Sequence, residues 1–92
     1  KNSIHIQEFY NDVFLPIQNF DKSQNLDLIN TIECFILNDG DYKKTATSLH
    51  LHHNTIRYRI NKAREILNLE DNLFQFIEEF SIALKIHRII DI

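Results

Sequence analysis

Residues 41–67 have the sequence DYKKTATSLHLHHNTIRYRINKAREIL, in which two short helical patterns meet at a three-residue joint. Ala46 and Leu49 mark the first pattern, and Leu51 is an apolar residue in the joint. In the second pattern, a helical wheel gathers the apolar side chains into one narrow stripe. The members of this stripe are Ile56, Ile60, Ala63 and Leu67. A small Ala, an apolar Leu and a tight turn between two helices are typical of a helix-turn-helix, whose second helix is the recognition helix.

The positive charge of the chain is concentrated in this segment. Residues 43–64 contain six Lys/Arg and no acid, although the 92-residue chain has a net charge of −3. The rest of the chain holds four Lys/Arg against 13 Asp/Glu, a balance of −9. A local positive field on an acidic protein indicates a polyanionic partner. Opposite the apolar stripe, the second helix carries amide, phenol and cationic groups, which hydrogen-bond to base edges and phosphates.

The sequence therefore predicts binding to double-stranded DNA, with the second helix in the major groove. We expect the bases to be contacted by Asn54, Arg57 and Tyr58. We expect the phosphates to be contacted by Thr55, Arg59, Lys62, Lys43 and Lys44. Other candidates on the same surface are Thr45, His52, His53 and Asn61. Two alternatives stay open: Arg59 or Arg64 could pair with an acid such as Glu33 or Asp39, and Tyr58 could pack on the preceding helix.

Local signals predict how the two helices begin and end. Asp41 is a candidate N-cap for the first helix, and His52 is a candidate N-cap for the second. His50 stands where helix-turn-helix proteins usually have a glycine, so we expect left-handed backbone there. Three histidines lie within residues 50–53, but zinc requires three or four convergent ligands and a tight turn directs adjacent side chains apart. The sequence therefore predicts no metal and no cofactor.

The motif also carries a resemblance to a known family. Residues 51–59, LHHNTIRYR, follow TATSL and precede a final helix containing SIALKI. This pattern resembles the C-terminal DNA-binding domain of PucR-type (CdaR-like) transcriptional regulators, which are known for purine-catabolism and sugar-diacid regulation. The resemblance extends backward through LINTIECFILNDGD and FYNDVFLPIQNFD. The chain departs from the family at Lys43, where a Ser is common.

The resemblance implies a wider context for the domain. In this family the DNA-binding domain is attached to a larger N-terminal sensory region, which implies that this chain is the C-terminal part of a longer regulator. Because a lone helix-turn-helix contacts few base pairs, we also expect the full-length protein to form a homodimer. A small-molecule effector, if there is one, would bind to the N-terminal region.

Composition and periodicity predict an all-α fold, a small helical domain with a helix-turn-helix and flanking N- and C-terminal helices. One Gly, one Pro and little strand-like alternation argue against a sheet. We expect a single domain over residues 1–92, with a break between the first two helices because Pro16 lacks an N–H group. Asn38-Asp39-Gly40 is expected to end the third helix with a left-handed cap. The predicted helices are 4–14, 16–20, 26–38, 42–49, 53–67 and 73–90.

The remaining observations restrict the class of protein. No apolar run is long enough to cross a membrane and no signal-peptide pattern is present, so we expect a cytoplasmic protein. Cys34 is alone and cannot form an internal disulfide. No nucleophile–base pair or phosphate-binding loop indicates an enzyme. The alternative function is a helical protein-interaction module with a basic face for an acidic partner.

The last predicted helix has more apolar surface than one core requires. One stripe contains Leu73, Phe76, Ile77, Phe80, Ala83 and Leu84. A second stripe, confined to the C-terminal half, contains Ile82, Ile86, Ile89 and Ile90. The second stripe is expected either to pack on the N-terminal helices or to form a subunit contact.

Overall fold

A computed structural model describes residues 2–90 of the chain, and the side chains of residues 5–90. In that part of the chain there are five α-helices and no strand, which confirms the predicted all-α class. The helices are α1 (Asn2–Gln24), α2 (Leu28–Leu37), α3 (Tyr42–Leu49), α4 (His53–Ile66) and α5 (Leu73–Ile90). None of the described helices is long and apolar enough to cross a membrane.

Helix α1 runs through Pro16 without a break, so the prediction of two separate helices, 4–14 and 16–20, is wrong. A proline inside a helix removes one backbone hydrogen bond and crowds the preceding turn. The apolar face on both sides of the proline offsets that cost, because Val13, Phe14 and Ile17 are buried in the core. Tertiary packing along a 23-residue helix therefore outweighs the local effect of one residue.

A side chain of α1 caps the beginning of α2. The carboxylate of Asp21 accepts hydrogen bonds from the backbone N–H groups of Leu28, at 2.7 Å, and Ile29, at 3.0 Å. Asp27, the residue in the N-cap position, has left-handed backbone with φ 61° and makes no side-chain cap. The first free N–H groups of α2 are thus satisfied from the preceding helix. As a result α2 begins at Leu28, two residues later than predicted.

The end of α2 has the predicted left-handed cap at Asp39 and Gly40. Their φ angles are 56° and 77°. The N–H of Gly40 donates to the carbonyl of Phe35 at 2.9 Å, and the N–H of Asp39 donates to the carbonyl of Ile36 at 3.0 Å. These bonds satisfy carbonyls that the end of the helix would otherwise leave free. The turn directs the chain into α3.

Helix α2 is the centre of the fold. It packs against all four other helices, with the pair α1–α5 and the pair α3–α4 each also packing within itself. The fully buried side chains come from all five helices and include four phenylalanines and Thr45. An ion pair between Arg88 and Glu33 also joins α5 to α2. This arrangement packs α3 and α4 against a helix that also contacts α1 and α5.

The C-terminal half of α5 leaves apolar surface exposed. Ile86 of the second stripe packs against the core, whereas Ile89 is 71% exposed. Ile82 and Ile90 are about half exposed, and so is Ile6 on the adjacent α1. We call Ile6, Ile82, Ile89 and Ile90 the isoleucine patch. Ile6 and Ile82 also line a shallow apolar groove of about 260 Å³ on the surface between α1 and α5.

Candidate nucleic-acid interface

The beginning of α3 is fixed by the predicted cap. The side chain of Asp41 accepts a hydrogen bond from the backbone N–H of Lys44 at 2.9 Å. This bond satisfies one of the four free N–H groups at the N-terminus of the helix. The side chains of Lys43 and Lys44, which lie in the first turn, are both exposed. Two cations are therefore presented at one end of α3.

The turn between α3 and α4 depends on left-handed backbone at His50. Its φ and ψ are 57° and 42°, as predicted from its position. The backbone N–H of His50 donates to Thr47 O at 3.3 Å, and that of Leu51 donates to Ala46 O at 3.0 Å. Leu51 is half-buried against the core and Ala46 is buried. The small Ala46 side chain thus lies inside the joint, as expected for a helix-turn-helix.

The first turn of α4 is capped by a histidine ring. Nδ1 of His52 accepts a hydrogen bond from the backbone N–H of Asn54 at 3.0 Å, which confirms the predicted cap. The ring of His53 stacks on that of His52 with 4.4 Å between centroids. Only an imidazole with an unprotonated Nδ1 can accept this bond. The cap therefore belongs to the neutral form of His52.

The two sides of α4 separate as the helical wheel predicts. Ile56, Ile60 and Ala63 are fully buried, and Leu67 is half-buried just beyond the end of the helix. The opposite side of the helix is exposed along its first two turns and carries Asn54, Arg57, Tyr58 and Asn61. Their spacing of three and four residues places them on one face. Tyr58 is 57% exposed, so its ring is not packed on α3.

Tyr42 supports the guanidinium of Arg57, a contact that the sequence did not indicate. The Arg57 Cζ atom lies 4.3 Å from the centroid of the Tyr42 ring, within the range of a cation–π interaction. The Tyr42 ring in turn contacts Phe35 of α2, with 4.9 Å between centroids. Arg57 remains exposed while its guanidinium rests on a supported ring. This contact ties the exposed face of α4 to the first turn of α3.

Two of the residues predicted to contact DNA have side chains directed toward the interior of the domain. Thr45 is fully buried, and its hydroxyl donates to Asp41 O at 2.8 Å. The prediction for Thr45 is wrong because its side of α3 faces the core. Arg59 has a side chain that is only 17% exposed, and its Nη1 donates to Thr31 Oγ1 at 3.1 Å. Its predicted phosphate contact is contradicted by this inward orientation.

Other cations of α4 are engaged within the domain. Lys62 Nζ lies 3.7 Å from a Glu65 carboxylate oxygen and 5.6 Å from the centroid of the Phe20 ring. Arg64 donates to the backbone carbonyls of Leu69, at 3.1 Å, and Glu70. The alternative in which Arg64 pairs with Glu33 or Asp39 is therefore wrong. Both side chains belong to the second half of α4, so the free positive charge lies nearer to its beginning.

The exposed groups form one surface, which we call the α3–α4 surface. Lys43 and His53 line a common concavity of about 480 Å³ between the two helices. Thr55, near the beginning of α4, is half-buried. Among the described residues, no group of three His, Cys, Asp or Glu lies close enough to hold a metal ion. The α3–α4 surface consists of Lys43, Lys44, His53, Asn54, Arg57, Tyr58 and Asn61.

This geometry is that of a helix-turn-helix, and the comparison with known proteins gives the family. Residues 28–86 match the PucR C-terminal helix-turn-helix domain. The match covers well over half of the chain, from α2 into α5, and the chain belongs to this family. The family is a DNA-binding regulatory module rather than an enzyme class. The resemblance noted in residues 51–59 is thereby confirmed.

Two relatives have the same domain within longer proteins. The chain is 34% identical over 61 residues to the uncharacterized protein YsfB of Bacillus subtilis (strain 168), which is 66% of this chain and 17% of that protein. It is also 34% identical over 59 residues to an uncharacterized protein of Haemophilus influenzae (strain ATCC 51907 / DSM 11121 / KW20 / Rd). This match covers 64% of this chain and 16% of that protein. The chain thus spans less than a fifth of the length of either relative. No solved structure matches it.

Proposed function

We propose that the chain binds double-stranded DNA sequence-specifically, as the DNA-binding domain of a transcriptional regulator, with α4 in the major groove. The observation that carries this proposal is the exposed face of α4. Its amide, guanidinium and phenol groups lie opposite a buried stripe, beside the lysines of α3. An α-helix of this kind fits the major groove, where each base pair presents a distinct pattern of donors and acceptors.

Individual side chains of the α3–α4 surface are suited to different contacts. An asparagine such as Asn54 can bind adenine through two hydrogen bonds, and an arginine such as Arg57 can bind guanine O6 and N7 in the same way. Lys43 and Lys44 carry the compact charge that suits phosphates. The stacking on Tyr42 restricts the Arg57 guanidinium before DNA arrives, which lowers the entropy lost on binding.

The test is selection of bound sites from a random duplex pool, followed by measurement of affinity for the selected site and for a random duplex. Asn54→Ala and Arg57→Ala should each cost about 1–3 kcal/mol at the selected site and leave random-duplex binding nearly unchanged. Both residues are exposed, so the fold should be kept, and Lys85→Ala, which removes an exposed cation of α5, is the matched control.

The outcomes separate the possible functions. Equal losses on selected and random DNA would reassign Asn54 and Arg57 to phosphate contacts. Failure of the pool to yield any enriched sequence would contradict specific recognition. Absence of duplex binding at moderate salt would leave an acidic protein as the partner of the basic surface.

The proposal extends to the longer protein of which this domain would be part. A lone helix-turn-helix contacts too few base pairs for genomic specificity, which regulators commonly overcome as dimers on two half-sites. The isoleucine patch is an exposed apolar surface at which a second copy could pack. We further propose that the full-length protein is a cytoplasmic homodimer and that any effector binds to an N-terminal region.

A further inference from the structure

Arg59 differs from the nearby Arg57 in the direction of its side chain. Its Nη1 donates to Thr31 Oγ1 of α2 at 3.1 Å and lies 4.0 Å from the Asp27 carboxylate. Its Nε is buried and has no hydrogen-bond partner among the described residues. The guanidinium would have to leave α2 and these contacts in order to bind a phosphate. Arg59 therefore serves the junction between α4 and α2.

The acceptor of this bond is itself fixed in direction. Thr31 is fully buried, and its hydroxyl donates to the carbonyl of Asp27 at 2.8 Å. Because the hydroxyl hydrogen is used in that bond, the oxygen lone pairs are directed toward Arg59. Asp27 lies immediately before the N–H groups that Asp21 caps. The guanidinium thus binds to an anchored point where α1, α2 and α4 meet.

A hydrogen bond at this position constrains α4 in a way that the core does not. Arg59 lies at the flank of the stripe formed by Ile56 and Ile60, about one fifth of a turn from its centre. Apolar contacts are non-directional and permit some rotation of a helix about its own axis. A hydrogen bond from a charged group is directional and stronger than a neutral one. The bond therefore opposes a rotation that the apolar stripe would allow.

We propose that Arg59 is a positioning residue for DNA recognition, and that Thr31 is its anchor. The bond between them sets the rotation of α4, so that Asn54, Arg57 and Tyr58 meet the base edges in register. This inference rests on the proposed function for its consequence at DNA. The orientation of α4 by this bond is expected in the free protein as well, and it can be tested without DNA.

The test changes Thr31, which is buried and cannot touch DNA itself. Thr31→Val keeps the shape and removes the acceptor, whereas Thr31→Ser keeps the hydroxyl and is the matched control. Thr31→Val should lower affinity for the selected site roughly tenfold, the order of one misaligned base contact, and change random-duplex affinity by less than about twofold. Thr31→Ser should keep most of the wild-type affinity for the selected site. All affinities are compared at temperatures below the unfolding transition of every variant.

Salt dependence separates positioning from phosphate binding. Arg59→Met should leave the slope of log affinity against log salt unchanged on a random duplex. Lys44→Met, which removes an exposed cation, should reduce the slope by about 0.9. A reduction of the same size for Arg59→Met would make Arg59 a phosphate contact and overturn the proposal.

Residual dipolar couplings of the free protein measure the orientation of α4 without DNA. We expect the orientation of α4 relative to α2 to change in Thr31→Val and in Arg59→Met, and to be kept in Thr31→Ser. An unchanged orientation in Thr31→Val or Arg59→Met would overturn the positioning role, whatever happens at DNA. If the wild-type chain fails to bind duplex DNA while α4 reorients as expected, the proposed function fails and the mechanical inference stands.

Discussion

Left-handed backbone at single residues forms the turns of this chain. Within residues 2–90, five residues other than glycine have positive φ, and each lies at a helix boundary: Asn25, Asp27, Asp39, His50 and Asn68. The chain has one glycine, so these positions are occupied by Asn, Asp and His, the types that adopt this conformation more readily than other non-glycine residues. Each such residue still costs about 1–2 kcal/mol relative to an ordinary conformation. Substitution of these residues can therefore raise the free energy of unfolding.

His50 gives the clearest prediction at this scale. We expect His50→Gly to raise the free energy of unfolding by about 0.5–1 kcal/mol, because glycine removes the left-handed penalty but loses more chain entropy on folding. Urea denaturation of the two proteins measures the difference. His50→Ala is the control, since it also removes the imidazole but keeps a Cβ in the strained conformation. An equal gain from both variants would trace the effect to loss of the ring and not to the backbone.

At the scale of the elements, the helices are joined by contacts that satisfy their ends. The Asp21 carboxylate binds two N–H groups of α2, and Arg64 binds two carbonyls just beyond α4. Both contacts connect a helix to the segment that follows it. The relative direction of consecutive helices is thus set by hydrogen bonds as well as by the core.

The cap from Asp21 can be measured directly. We expect Asp21→Ala to lower the free energy of unfolding by about 1–2 kcal/mol, the upper part of the range for loss of a helix N-cap. Asp21→Asn keeps one acceptor oxygen and should lose less. Asp12→Ala, at an exposed position of the same helix, is the control for helix propensity and surface charge. If Asp21→Ala differs from that control by less than about 0.5 kcal/mol, water replaces the cap and the bond is incidental.

Sequence periodicity predicts α3 and α5 at their observed boundaries. It also predicts which face of α4 is exposed. These features follow from signals within a few residues, such as the cap at Asp41 and the apolar stripe through Ile56. What the sequence misses depends on partners far along the chain. Arg59 binds a residue 28 positions away, and α1 continues through Pro16 because α5 packs against it.

Thr45 shows a second limit of periodicity in a short helix. In an eight-residue helix with few apolar positions, the wheel does not determine which of two adjacent sides faces the core. Periodicity therefore groups the polar Thr45 with its lysine neighbours, although its methyl group and bonded hydroxyl allow it to be buried. Helix α4 has 14 residues and repeats its buried apolar positions at Ile56, Ile60 and Ala63, so its exposed residues could be identified from the sequence.

At the scale of the whole molecule, the isoleucine patch lies on the α1–α5 pair, and the α3–α4 surface lies on the other pair. Helix α2 packs against both pairs, and α1 also contacts α4 directly. A second copy that packs at α1–α5 would therefore leave the surface proposed to bind DNA uncovered. This arrangement is compatible with two copies acting on two half-sites.

Ile89 is the residue with which to test the pairing. We expect Ile89→Asp to weaken binding to a duplex with two selected half-sites by roughly tenfold. Affinity for a single half-site should stay within about twofold, because a charge at a dimer contact opposes only the association of two copies. Phe74→Asp is the matched control, since Phe74 is 75% exposed and lies at the other end of α5. Sedimentation on the two-site duplex counts the bound copies. Equal effects of both variants would place the dimer contact elsewhere.

The arrangement of the two helix pairs around α2 also gives the molecule a polarity toward polyanions. The lysines of α3 and Arg57 belong to one pair. The described parts of α1 and α5 in the other pair carry five acids, Glu8, Asp12, Asp21, Glu78 and Glu79, against three cations, Lys22, Lys85 and Arg88. A duplex that approaches from the α1–α5 side meets repulsion, so only one orientation of approach is productive. A single domain charged in this way has one surface for DNA, and it should remain on a single duplex at concentrations where a uniformly basic protein of the same size would condense DNA.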